Sequence, residues 1–126
     1  MRSRVLCVDD QSGVRLLLKE ILKDEYDVIT VGSGKEAIEL AKVFNPNIVM
    51  LDMNLDDMLG TEVLKVIRQF HSSTKFIMLT GYSEDDKMKE ISRLNPDFIV
   101  KKPFDVETIK DKLKKITTIS KRAIAL

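Results

Sequence analysis

The chain of 126 residues has one cysteine, one histidine and no tryptophan. A lone Cys7 excludes an intrachain disulfide and a metal site built on thiolates. With only 5 glycines and 3 prolines, the chain is neither collagenous nor low-complexity. Neither sign of charge is in excess: 21 basic residues face 20 acidic ones, for a formal net charge of +1. That balance disfavours a general polyanion binder and predicts no direct contact with nucleic acid. No apolar run approaches the ~18 residues of a membrane-spanning helix. After Met1-Arg2-Ser3-Arg4 comes an apolar run, Val5 to Val8, too short for the core of a secretory signal. These absences point to a cytoplasmic protein. What remains, 44% hydrophobic and 33% charged residues, is the composition of a single globular domain.

Five short runs read as strands: Val5–Val8, Tyr26–Val31, Ile48–Leu51, Phe76–Leu79 and Phe98–Val100. Four are almost continuously apolar, as in a parallel sheet covered on both faces. The second mixes in polar residues and suits an edge. Between them lie segments of helical period. Val14, Leu17, Leu18 and Ile21 mark the first. Ala37, Leu40, Ala41 and Phe44 mark the second, with Ser33 as N-cap and Glu36 closing a capping box. Val63, Val66, Ile67 and Phe70 mark the third. A charged segment from about Glu84 to Leu94 reads as the fourth, with Asp85-Asp86 in its first turn. The fifth starts near Asp105, with Ile109, Leu113 and Ile116 as its stripe. Asn45-Pro46-Asn47 and Asn95-Pro96-Asp97 punctuate helix ends. Strict alternation of strand and helix gives an α/β fold: a doubly wound, five-stranded parallel sheet of order 2-1-3-4-5, flavodoxin-like.

In such a sheet, ligands bind beyond the carboxyl ends of the strands, at the point where the strand order reverses. Strand one ends in Asp9-Asp10, strand three in Asp52, strand four in Thr80-Gly81 and strand five in Lys101-Lys102-Pro103. Three carboxylates in one small volume repel one another, and a hard divalent cation relieves that repulsion. Neither GxxxxGK[ST] nor GxGxxG occurs, which argues against a nucleotide-binding enzyme. An aspartate can instead carry a phosphoryl group covalently, with Thr80 and Lys102 on its oxygens.

Val8-Asp9-Asp10, Leu51-Asp52, Thr80-Gly81 and Lys102-Pro103-Phe104 together resemble the receiver (CheY-like) domain of two-component response regulators. The resemblance covers residues 4 to about 118, leaving 119–126 as a tail or an extension of helix five. It implies that Asp52 is the phosphoacceptor, that Asp9, Asp10, Asp52 and the backbone carbonyl of Asn54 hold Mg2+, and that Thr80 and Lys102 bind the phosphoryl oxygens. The Lys102-Pro103 bond is similar to one that is cis in the family. The implied partners are a sensor histidine kinase or a histidine phosphotransfer protein, docking at the first helix near Gln11, Val14 and Leu16, and a downstream protein target. The implied protein is a monomer or weak dimer. Its chemistry is confined to its own phosphorylation and dephosphorylation, so it is not an enzyme acting on other substrates. Positions two after the acceptor and two after the threonine, Asn54 and Tyr82, would gate hydrolysis, with Tyr82 shielding the phosphoryl group.

The sequence departs from the family pattern in three places. Asp56 stands where proline is usual and Leu59 where aspartate is usual, while Gly60 keeps its place. This predicts a more mobile loop and two further carboxylates, Asp56 and Asp57, near the metal. Ile99 replaces the usual aromatic switch residue. The apolar stripe of helix five continues through Ile119, Ala123 and Leu126, which predicts either a frayed polar tail or an extension that pairs with a second copy or leads into a further domain. Two other functions compete with this reading. A receiver-like scaffold acting without phosphorylation would tolerate Ile99 and Asp56. A haloacid-dehalogenase-type phosphatase needs DxD after its first strand, where this chain has adjacent Asp9-Asp10. Cys7 reads as a core residue, Lys101 as a surface charge, and His71, in the turn His71-Ser72-Ser73-Thr74, as a surface residue.

Overall fold

A computed structural model describes residues 2–81 and 87–125, with side chains described as far as residue 118. The expectations placed on Tyr82, on Asp85-Asp86 and on the side chains of Ile119, Ala123 and Leu126 lie outside the described residues. In chain order the elements are β1 (Arg4–Val8), α1 (Ser12–Leu22), β2 (Asp27–Val31), α2 (Gly34–Phe44), β3 (Ile48–Asp52), α3 (Gly60–Phe70), β4 (Lys75–Thr80), α4 (Met88–Arg93), β5 (Phe98–Lys101) and α5 (Val106–Ala125). The strands form one parallel sheet in the order β2-β1-β3-β4-β5, as the alternating pattern predicts.

Successive strand residues face opposite sides of the sheet, so each central strand feeds two cores. Leu6, Val8, Val49, Leu51, Phe76 and Met78 pack under α2, α3 and α4 with Ala37, Ala41, Val63, Ile67 and Ile91. Val5, Cys7, Ile48, Met50, Ile77 and Leu79 pack under α1 and α5 with Leu18, Leu22, Ile109, Leu113 and Ile116. Each fully buried Leu, Ile or Phe side chain contributes about 1.5–3 kcal/mol relative to exposure, so the two layers fix the register of β1, β3 and β4. At the edge, β2 has no fully buried residue.

Local signals set the element ends. Ser33 Oγ accepts from Glu36 N–H at 3.2 Å, and Glu36 Oε2 accepts from Gly32 N–H, one residue before the usual capping-box partner. Asn45 and Asn95 take left-handed backbone (φ 51° and 52°) where α2 and α4 stop. Asp105 Oδ1 accepts from Thr108 N–H at 2.7 Å and starts α5.

Two expectations need correction. Leu17 does not join the core: it is 44% exposed, and Leu22 takes its place in the buried stripe of α1. His71 is not a free surface side chain, because its Nε2 lies 3.0 Å from the Ala41 carbonyl and its ring meets Phe70 edge-on. A carbonyl only accepts, so the proton is on Nε2, and the ring ties the end of α3 to α2. The fourth helix is described from Met88 to Arg93, and the start expected near Glu84 lies outside the described residues.

Candidate functional site

The register of the central strands builds the site. Val8 pairs with Leu51, so Asp9 follows β1 beside Asp52 at the end of β3; Asp52 pairs with Leu79 and Thr80 with Lys101. Carboxylate oxygens of Asp9, Asp10 and Asp52 all lie within 4.8 Å of one another. Asp9 is fully buried and Asp52 nearly so, while Asp10 is half-buried at the mouth. From the β5 side, Lys102 Nζ donates to Asp9 Oδ2 at 2.6 Å and stands 3.6 Å from Asp52 Oδ2. The Lys102 N–H donates to Thr80 O at 2.7 Å, and the Lys102-Pro103 peptide is cis. Lys101, by contrast, is exposed.

Charges this close shift one another. Burial, reinforced by the charge of Asp9 and opposed by Lys102, pushes the Asp52 carboxyl up to about 6. Asp10 is also raised, first by burial and then by a hydrogen bond with the Asp56 carboxyl group. Both shifts express a site with more negative charge than its one ammonium balances. Burial and Asp9 push the Cys7 thiol up to about 12, which keeps it a neutral core group.

Thr80 supplies a different signal. It is fully buried, and its Oγ1 has no hydrogen-bond partner among the described residues. A buried orphan hydroxyl is unusual in a folded protein, and here it stands at a strand end next to three carboxylates and a lysine.

The loop after Asp52 departs from expectation. Asn54 and Leu59 form an antiparallel bridge, and Gly60 N–H donates to Met53 O at 2.7 Å. A Cβ at Gly60 would collide with the Asp52 carbonyl, so only glycine admits this close return. Asp57 does not sit with the acidic cluster. Its two carboxylate oxygens accept the Gly34 and Lys35 amides at the N-terminus of α2, each at 2.9 Å, and these bonds hold its carboxyl below the usual range. The loop predicted to be mobile is thus tied to α2, and only Asp56 of the two added acids reaches the cluster. Ile99 lies half-buried against the core under α4.

Sequence reasoning missed Arg15. Its Nη1 donates to the backbone carbonyl of Asp9 at 2.7 Å and lies 3.0 Å from where a Cβ on Gly32 would sit. This contact fixes the turn that carries Asp9 and Asp10. The available clue was a lone arginine in the first turn of the helix that follows a strand ending in acids.

The response regulator receiver domain model matches residues 5–114. The chain belongs to that family. Receiver domains are the phosphoacceptor modules of two-component signalling. The chain is 34% identical over 116 residues to sporulation initiation phosphotransferase F of Bacillus subtilis, covering 91% of this chain and 94% of that protein. It is 32% identical over 119 residues to the chemotaxis protein CheY of Halobacterium salinarum, covering 94% and 99%. Among solved structures, a CheY-like response regulator receiver domain protein from Methanospirillum hungatei superposes with a TM-score of 0.89 at 27% identity, covering 97% of this chain and 99% of that one. No helix among the described residues of this receiver is long and apolar enough to cross a membrane.

Proposed function

We propose that Asp52 is the residue of this receiver that accepts the phosphoryl group, from a histidine kinase or a histidine phosphotransfer protein. A carboxylate oxygen of Asp52 forms the new P–O bond as the P–N bond of the phosphohistidine breaks, and the imidazole leaves with the electron pair. The observation that carries this reading is the unpartnered Thr80 Oγ1 beside the Asp9, Asp10 and Asp52 cluster. A phosphoryl oxygen is the acceptor that this hydroxyl lacks. Lys102 Nζ, already between Asp9 and Asp52, donates to a second oxygen.

The donor set fits Mg2+: hard carboxylate oxygens on neighbouring strand ends, at a mouth open to water. Asp9, Asp10 and Asp52, with the backbone carbonyl of Asn54, would hold the ion, Asp10 more directly than Asp9. When bound, the ion neutralises charge on the carboxylates and on the incoming phosphoryl oxygens. The chain's own groups do the rest. Arg15 and the Gln11 N–H (2.9 Å from Asp9 Oδ1) hold the first two acids in place, and Gly60 lets the loop close behind Asp52.

In this reading the receiver comprises residues 1–118 and turns over only its own acyl phosphate. Leu16 and Leu17, 65% and 44% exposed on α1 next to the site, form the face for the kinase or phosphotransfer helices. The protein works in the cytoplasm as a monomer or weak dimer and acts on a protein target rather than on nucleic acid. Beryllofluoride with Mg2+ tests the site without a kinase. Saturating NMR shifts at Asp52, Thr80 and Lys102 support it. A silent spectrum favours the scaffold reading.

A further inference from the structure

A cavity of about 380 Å³ lies at the other end of the sheet and opens where β1, β3 and β4 begin. Strands of five or six residues rising ~3.3 Å per residue set it roughly 15 Å from the carboxylate cluster. Asn47, just before β3, is its keystone. Its Oδ1 accepts from Arg4 N–H at 2.8 Å, its own N–H donates to Arg4 O at 2.9 Å, and its carbonyl accepts from Lys75 N–H at 2.9 Å. These bonds hold the first residues of β1 and β4, Arg4 and Lys75, on either side of the same turn.

The charge of this cavity is one-sided. Arg4, Lys75 and His71 line it together with the hydroxyl residues Ser73 and Thr74, and no carboxylate does. Arg4 Nε donates to Asn45 O at 2.9 Å, which fixes the guanidinium plane; its other nitrogens have no partner among the described residues. The Lys75 ammonium likewise forms no ion pair among them. The nearby Asp97 is committed to Phe76 N–H at 2.8 Å and is not part of the lining. A second cavity of similar size, about 330 Å³ between α1 and α5, mixes Glu25, Glu107 and Asp111 with Lys110 and Lys114 and has no such bias.

We propose that the cavity at the start of β1, β3 and β4 binds a small phosphate-bearing anion, held between the Arg4 guanidinium and the Lys75 ammonium with the Ser73 hydroxyl as a further donor. A planar fork on one side and a point charge on the other suit a tetrahedral dianion. The backbone network around Asn47 pre-forms the site, so little ordering is needed on binding. This site is separate from the phosphoryl chemistry at Asp52 and does not depend on it.

The test is an NMR titration of the full chain with inorganic phosphate and with pyrophosphate. Divalent cations are left out, and chloride keeps the ionic strength constant. His71 is the one histidine of the chain, so its ring signals are unambiguous. The expected result is a saturating shift of the His71 ring and of the Asn47, Thr74 and Lys75 amides, weakened at least tenfold in R4Q and in K75Q and unchanged in K19Q. Lys75 is exposed, so K75Q keeps the fold and decides the matter if R4Q does not fold. A linear response, an equal loss in K19Q, or saturation centred on Asp52, Thr80 and Lys102 would each overturn the proposal.

Discussion

Replacing Thr80 by valine separates stability from signalling. The Oγ1 of Thr80 is fully buried without a partner among the described residues. An unmet buried hydroxyl costs about 1–3 kcal/mol, and valine has nearly the same shape without that group. The backbone is unaffected, because the Thr80 carbonyl still accepts from Lys102 N–H. Thr80→Val should therefore raise the stability of the unphosphorylated chain by about 1 kcal/mol, a rise of a few degrees in Tm. Most core substitutions do the opposite. With no tryptophan in the chain, urea unfolding followed by far-UV circular dichroism is the suitable assay. The same variant should still label at Asp52, because the nucleophile is intact, but should lose the phosphorylation-dependent change in partner binding. A fall in stability of more than about 1 kcal/mol would show that the hydroxyl has a good partner in the resting protein, and the argument from Thr80 would fail.

The raised Asp52 carboxyl has a defined pH signature. Its folded value of about 6 lies above its ordinary 3.8, so between these values the native state holds more protons than the unfolded chain. In metal-free buffer, stability should fall as pH rises from about 4 to about 6, by roughly 2–3 kcal/mol from this group, and Asp52→Asn should flatten that slope in urea melts. Lys102→Ala leaves Asp9 buried with its ammonium removed; it should cost about 3 kcal/mol without metal, with part of the loss recovered as Mg2+ is added in thermal melts. Gly60→Ala drives a Cβ into the Asp52 carbonyl and should cost about 2 kcal/mol or more in urea unfolding, with weakened labelling of Asp52. An unchanged midpoint would show that the loop does not need that close return.

The strand ends were legible because apolar runs of four to six residues stop at charged or hydroxyl residues, which fixes where Asp9, Asp52, Thr80 and Lys102 emerge. The strand order then brings them together without any further signal. Two kinds of residue resisted. Leu17 and Leu18 are adjacent and either could lead the stripe of α1, but Leu22, four after Leu18, is buried with it while Leu17 stays exposed. Arg15, Asp57 and His71 act on backbone groups of distant segments: the Asp9 carbonyl, the α2 amides and the Ala41 carbonyl. Backbone acceptors and donors exist at every position, so no side-chain pattern advertises such contacts. Asp57 was misread for that reason. Its type suggested the metal, whereas its carboxylate accepts the two amides that open α2.

The central claim is that Asp52 becomes an acyl phosphate, and chemical mapping tests it most directly. The chain is incubated with a small phosphodonor and Mg2+, reduced with borohydride, digested and read by mass spectrometry. Reduction marks the peptide that carried the phosphoryl group. The account predicts a single marked site at Asp52, dependent on Mg2+ and absent in Asp52→Asn. A mark at Asp9, Asp10 or Asp56 in the wild-type chain, or undiminished marking in Asp52→Asn, would contradict it.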